Sequence, residues 1–148
     1  MNVHIRNAHP NELEPLLDLY HHLHATDAPL PEGSTLRQVW SEILRDPKIH
    51  CLVANMDAEI VASCVLVVIP NLTRGARPYG LIENVVTHAD HRRKGIATQL
   101  LRHALQMAWS QNCYKVILLT GSQHEGIHHC YEQAGFVKGD KTGFVARP

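Results

Sequence analysis

Arg92-Arg93-Lys94-Gly95-Ile96-Ala97 places three cations and two small residues at the junction between an extended apolar run and a long helical one. Unpaired amides at a helix start carry partial positive charge and suit phosphate oxygens. Gly95 and Ala97 remove side-chain bulk, so a diphosphate can approach the backbone, while Arg92, Arg93 and Lys94 add charge at the same place. Neither G-x-x-x-x-G-K-[ST] nor G-x-G-x-x-G is present, which disfavours a P-loop and a dinucleotide fingerprint. Taken alone, the segment is equally compatible with a solvated basic turn that binds nothing.

A second pattern, His124-Glu125-Gly126-Ile127-His128, fits H-E-x-x-H, in which two histidines on one helical face hold zinc beside a glutamate base. No histidine follows His129 and no glutamate follows Glu132, so the usual third ligand has no source, and Gly126 weakens the helix that would carry the pair. Cys51, Cys64, Cys113 and Cys130 form no C-x-x-C pair, so neither a zinc knuckle nor a redox motif is indicated. No metal is expected.

The elements that must position these residues follow from periodicity and punctuation. Val3 to Arg6 reads as a short strand, and Leu13, Leu16, Leu17, Tyr20 and Leu23 recur at helical spacing across Asn11 to His24. A loop over Asp27 to Ser34 precedes a second helix, Thr35 to Arg45, with Ser34 as its expected N-cap. His50 to Asn55 and Glu59 to Ile69 form a hairpin about a turn at Asp57-Ala58, a pairing that sets Cys51 opposite Cys64 within reach of a disulfide, read in a reducing compartment as two packed thiols. After a loop over Pro70 to Pro78, Leu81 to Val86 reads as a central strand. Ile96, Leu100, Leu101, Ala104, Leu105 and Ala108 then give the 3.6 period of a helix running to Trp109. Lys115 to Leu119 reads as a strand and Glu125 to Ala134 as a helix ended by Gly135; Phe136 to Ala146 is expected to hold one or two terminal strands.

The chain has 148 residues, 45% apolar and 19% charged, which predicts one globular α/β domain over 1–148 with a mixed sheet. Fourteen basic and fourteen acidic residues cancel, so a nucleic-acid partner is not expected. No apolar run suits a signal peptide or a membrane span, and the expectation is a cytoplasmic protein with no membrane partner.

In this order the pieces resemble the GNAT superfamily of N-acetyltransferases. Arg92, Gly95 and Ala97 match its Q/R-x-x-G-x-G/A motif, Ile82-Glu83-Asn84-Val85-Val86-Thr87-His88 looks like its fourth strand, and Cys113 to Leu118 resembles its fifth. Tyr131-Glu132-Gln133-Ala134-Gly135-Phe136 is similar to its late Y-E-x-x-G-F signature. The resemblance implies a mostly antiparallel mixed sheet, splayed between the fourth and fifth strands, with flanking helices. It implies acetyl-CoA as cosubstrate, its pantetheine arm along Val85, Val86 and Thr87. The diphosphate would then lie on Arg92, Arg93, Lys94, Gly95, Ile96, Ala97 and Thr98. His124 stands where the family often carries an asparagine that touches the cofactor.

The same resemblance assigns chemistry. An alkyl ammonium, of pKa about 10, has no free lone pair at neutral pH. Glu83 matches the family's acidic position at the fourth-strand bulge and would take the proton, directly or through a water, with His88 as the alternative base. A backbone N–H near Val86 would meet the developing oxyanion, and Tyr131 would protonate the departing thiolate. The family's first two helices border its acceptor. His21, His22 and His24 are therefore either acceptor-lining or merely exposed, and Tyr20 is counted as substrate-binding. Arg74 and Arg77 are candidates for an acidic or phosphorylated acceptor, or else ordinary loop charges. The chain most resembles glucosamine-6-phosphate N-acetyltransferases and small bacterial members, which implies a small-molecule primary amine as acceptor and a homodimer; amino acids, polyamines and protein N-termini stay open beside an amino sugar phosphate. A non-catalytic acyl-CoA sensor or interaction domain of the same fold is the alternative.

Overall fold

A computed structural model describes residues 2–148. Strands β1 (His4–Asn7), β2 (Ile49–Met56), β3 (Glu59–Ile69), β4 (Tyr79–Thr87) and β5 (Val116–Leu118) form one sheet in chain order. The first four pair antiparallel, and β5 lies parallel to β4. A parallel neighbour needs a crossover, supplied by helix α4 (Ile96–Ser110). The strands alternate between two buried faces. Leu52, Cys64, Leu66 and Ile82 join Ile96, Leu100, Leu101, Ala104 and Ala108 of α4 in one core. Cys51, Val53, Ile60 and Val86 join Leu16 and Leu19 of α1 (Leu13–Tyr20) and Trp40 of α2 (Gly33–Arg45) in the other. Helix α5 (Glu125–Ala134) packs on α4 and ends at Gly135, whose φ of 115° suits glycine. One helical turn, α3 (Thr73–Ala76), joins β3 to β4 and has positive φ at Arg74, Gly75 and Ala76.

The expected mixed sheet and helices are present, with four local differences. The first helix is shorter than Asn11 to His24, because a 3₁₀ turn at Pro10–Glu12 precedes it and a separate turn follows Tyr20. Helix α2 starts at Gly33, so Ser34 lies inside it, and Glu32 at the N-cap position makes no side-chain cap bond. Cys51 and Cys64 do not face each other. The hairpin turns tightly at Asp57 and Ala58, with φ of 51° and 66°, but a bulge between Ala54 and Asn55 shifts the register. Cys51 then pairs with Val65 and Leu52 with Cys64, which sends the two thiols into opposite cores. Burial pushes Cys51 up to about 11 and Cys64 up to about 12.

The strands expected within Phe136 to Ala146 do not form. Val137, Phe144 and Val145 are 77%, 91% and 67% exposed, and residues 136–148 join no ladder. Apolar and β-branched composition describes residues that fit a pleated surface; it does not create a partner strand.

Two polar ties hold the helical layer, the first within it and the second to the sheet edge. Trp40 Nε1 donates to the Pro10 carbonyl at 2.9 Å, and Arg6 grips Glu12 with nitrogens at 2.7 and 2.9 Å from its two oxygens. The Arg6 guanidinium bond is the main reason the Glu12 carboxyl is lowered to about 2. A folded value below the unfolded ~4.3 means that the stabilisation is complete above ~4.3 and drains as pH falls toward about 2. Glu12→Gln is expected to cost about 1 kcal/mol at neutral pH, a figure reduced for partial solvent screening, and to match wild type in strong acid. Thermal melts of both proteins across that window check it.

Candidate active site

The ladder between β4 and β5 ends at Ile82 opposite Leu118. One residue further on, Glu83 pairs with Val65, and the next pair of that ladder is Val86 with Ser63. Asn84 and Val85 therefore both stand against Cys64, a β-bulge that bends the strand, and Asn84 takes a left-handed φ of 55° to make it. A cleft of about 1150 Å³ opens where the strands part, above the usual ~300–1,000 Å³ of small-molecule sites. Its walls include the β4 stretch from Ile82 to Thr87 and the segment from Leu119 to Ser122 that follows β5.

The start of α4 closes one end. Gly95 is the N-cap residue with φ of 77°, no side chain caps the helix, and its first turn contains no acid. The leading amides of α4 are thus free of intrahelical partners, which suits an anion. Arg92, Arg93, Gly95, Ile96, Ala97 and Thr98 all line the cleft; Lys94 belongs to the turn but not to the lining. The Arg92 guanidinium is already engaged, donating to the Thr87 carbonyl at 3.2 Å and the His22 carbonyl at 2.9 Å. An anion-binding end, an unpaired strand edge and a long channel fit the three parts of an acyl-CoA: diphosphate, amide-bearing arm and thioester.

Helix α5 supplies the remaining groups. Tyr131 lines the cleft half-buried, and burial, reinforced by the neighbouring Cys130, raises its phenol; the Thr120 hydroxyl acts in the opposite direction. A phenol so placed stays protonated at neutral pH. Cys130 Sγ lies 3.5 Å from the Thr98 hydroxyl, joining α5 to the start of α4. His124 also lines the cleft, and its Nδ1 caps α5 by accepting from the Gly126 N–H at 3.1 Å. His128 faces other work, with Nε2 at 2.6 Å from the Ser122 carbonyl and Nδ1 at 3.0 Å from Lys138 Nζ. The H-E-x-x-H pair is thus divided between a helix cap and a loop tie.

Glu83, Val85, Val86, Thr87, Arg92, Arg93, Gly95, Ile96, Ala97, Thr98, His124 and Tyr131 share this cleft, whereas Tyr20, Arg74 and Arg77 do not line it. Tyr20 packs into the core beneath α1, where burial first, and then the Cys51 and Cys64 thiols, raise its phenol strongly. Arg77 donates to the Asn112 and Cys113 carbonyls, both at 3.3 Å, and so braces the α4–β5 connection. Arg74 lies 5.9 Å from the Tyr114 ring centre. In exchange, the cleft gains Leu23, His91 and Thr120, together with His22 and His24 from the histidine cluster. The small polar run Thr120-Gly121-Ser122 was the available signal for the far wall.

A fold whose parallel strand pair opens beside an anion-binding helix start defines an acyl-CoA-dependent transferase, and sequence comparison agrees. The profile of the Acetyltransferase (GNAT) family matches residues 16–136, and the chain belongs to that family, whose members use acetyl-CoA as cosubstrate. It is 31% identical over 139 residues to the glucosamine 6-phosphate N-acetyltransferase of Trypanosoma brucei brucei, covering 92% of this chain and 90% of that one. A solved structure from Agrobacterium tumefaciens str. C58, provisionally described as an acetyltransferase, superposes with a TM-score of 0.90 at 41% identity, covering 98% of this chain and 99% of that one. A transcriptional regulator from Bacillus halodurans C-125 superposes with a TM-score of 0.86 at 27% identity, covering 99% of each chain.

A side chain at Gly95 would meet no atom within 4 Å, but would have to adopt the left-handed φ of 77°. Gly95→Glu therefore leaves the fold standing, at about 1 kcal/mol of strain, and sets a carboxylate on the anion turn. Calorimetric titration is expected to find acetyl-CoA binding in the wild type and at least about a hundredfold weaker binding in the variant, the effect of replacing attraction by repulsion at a partly desolvated site.

Proposed function

We propose that this enzyme moves the acetyl group of acetyl-CoA to the primary amine of a small molecule by direct attack within a ternary complex. Glucosamine 6-phosphate is the first acceptor to test. The observation that carries this reading is the convergence of Glu83 from the β4 bulge and Tyr131 from α5 on one cleft beside the anion turn. Acetyl-CoA supplies an activated thioester; this chain supplies binding, orientation and two proton transfers. Glu83 is solvent-exposed at the bulge and takes the proton of the attacking amine, directly or through a water. The backbone N–H near Val86 faces the acetyl oxygen and stabilises the charge that gathers there. As the new C–N bond forms and the C–S bond breaks, the nitrogen sheds its second proton to solvent, and Tyr131 gives its proton to the departing sulfur and regains one from solvent.

The acceptor assignment draws on the named activity of the trypanosomal relative, 31% identical over nearly the whole chain. A homodimer belongs to the same proposal: Leu119, Val137, Phe144 and Val145 are at least half exposed, and β5 is an edge that pairs only with β4 among the described residues. Four free cysteines, three of them buried, suit the cytoplasm. The regulator-like structural neighbour favours one competing reading, an acyl-CoA-binding domain without turnover.

Tyr131→Phe separates the two. An enzyme is expected to lose about 10²-fold in kcat while its affinity for acetyl-CoA stays within about twofold. Thiol release with glucosamine 6-phosphate, followed beside calorimetry, reads both quantities. Wild-type turnover that survives the substitution would remove Tyr131 as the acid. Tight acetyl-CoA binding with no turnover on any amine would favour the sensor.

A further inference from the structure

The turn after α1 and the turn before α4 are far apart in sequence, and one histidine joins them. Beyond Tyr20 the chain leaves the helix, and His22, Leu23 and His24 line the cleft before the exposed stretch 25–32. His22 reaches across to the opposite turn in three ways. Its Nδ1 accepts from the Ala89 N–H at 3.3 Å, its carbonyl accepts from Arg92 Nη2 at 2.9 Å, and its ring lies 4.0 Å from that of His88. The receiving segment is itself held together: Arg92 Nε donates to the Thr87 carbonyl at 3.2 Å, and His88 Nδ1 accepts from the Asp90 N–H at 3.1 Å.

We propose that His22 is a positioning residue that couples the ordering of the 21–24 turn to occupancy of the diphosphate turn. The inference rests on the reading that residues 92–98 hold the coenzyme. An anion seated on those amides immobilises the segment from Ala89 to Arg92. That immobilises the two donors on which His22 depends. The 21–24 turn then loses less conformational freedom when it closes on an acceptor, a cooperativity carried by entropy rather than by a new contact. The ring can accept from Ala89 only while Nδ1 carries no proton, so the coupling belongs to the tautomer protonated at Nε2.

Hydrogen exchange of the intact protein with and without saturating acetyl-CoA tests the coupling and needs no acceptor. In the wild type, amides 21–24 gain protection together with amides 93–98. His22→Ala keeps the gain at 93–98 and loses about fivefold of the gain at 21–24, the effect of one hydrogen bond and one ring contact. His22→Asn, whose Oδ1 can accept in place of Nδ1, restores part of it, and thermal melts confirm that each variant is folded. An undiminished gain at 21–24 in His22→Ala overturns the proposal. So does the absence of any gain there in the wild type while 93–98 are protected. No gain at 93–98 in the wild type instead overturns the coenzyme assignment, and the coupling falls with it.

Discussion

Parallel pairing between β4 and β5 covers only Gly80–Ile82 and Val116–Leu118, and the rest of the molecule is arranged around the point where it stops. Within that ladder neighbouring side chains close over Gly80, since a Cβ there would lie 3.1 Å from both Leu66 Cδ1 of β3 and Val116 Cγ2 of β5. Beyond it, the bulge at Asn84 bends β4 away from β5. Backbone polar groups left without a sheet partner must find water or a ligand. An acyl-CoA arm, rich in amides, is a suitable substitute strand. The cleft is in that sense a sheet whose last pairing has been reserved for a guest.

Burial sorts the titratable groups around this opening. Tyr131 sits deep enough for its phenol to be raised, whereas Glu83 stands exposed at the bulge. Cys51 and Cys64, buried on either side of the sheet, are pushed far from the thiolate range and serve as packing atoms.

Much of this arrangement was legible in the amino-acid order because it depends on local rules. The 3.6 period of α4, Gly95 at its start, Gly135 at the end of α5 and the Asp57-Ala58 turn each express a nearby backbone requirement. The features that escaped depend on distant partners. Nothing near Cys51 announces that a bulge after Ala54 will move it to the other face from Cys64. Composition at Phe136 to Ala146 looks like strand, but only an available edge makes one. Arg77 carries the charge of a phosphate ligand, yet it spends its donors on two carbonyls beyond α4. His22 and His24 reach the cleft because α1 ends early, a boundary that helical periodicity alone does not mark.

The short β4–β5 ladder also has a mechanical side. Everything from Val116 onward is moored to the sheet by three residue pairs and to the remaining chain by the packing of α5 on α4. A long molecule lying in the cleft touches both the moored part and the main body, and acts as a strut between them. Occupancy then adds stability as RT ln(1 + [L]/Kd), about 2.7 kcal/mol at a hundredfold excess over Kd. The lifetime of this protein against proteases would accordingly follow the supply of its own coenzyme, with starvation loosening the joint that plenty keeps shut.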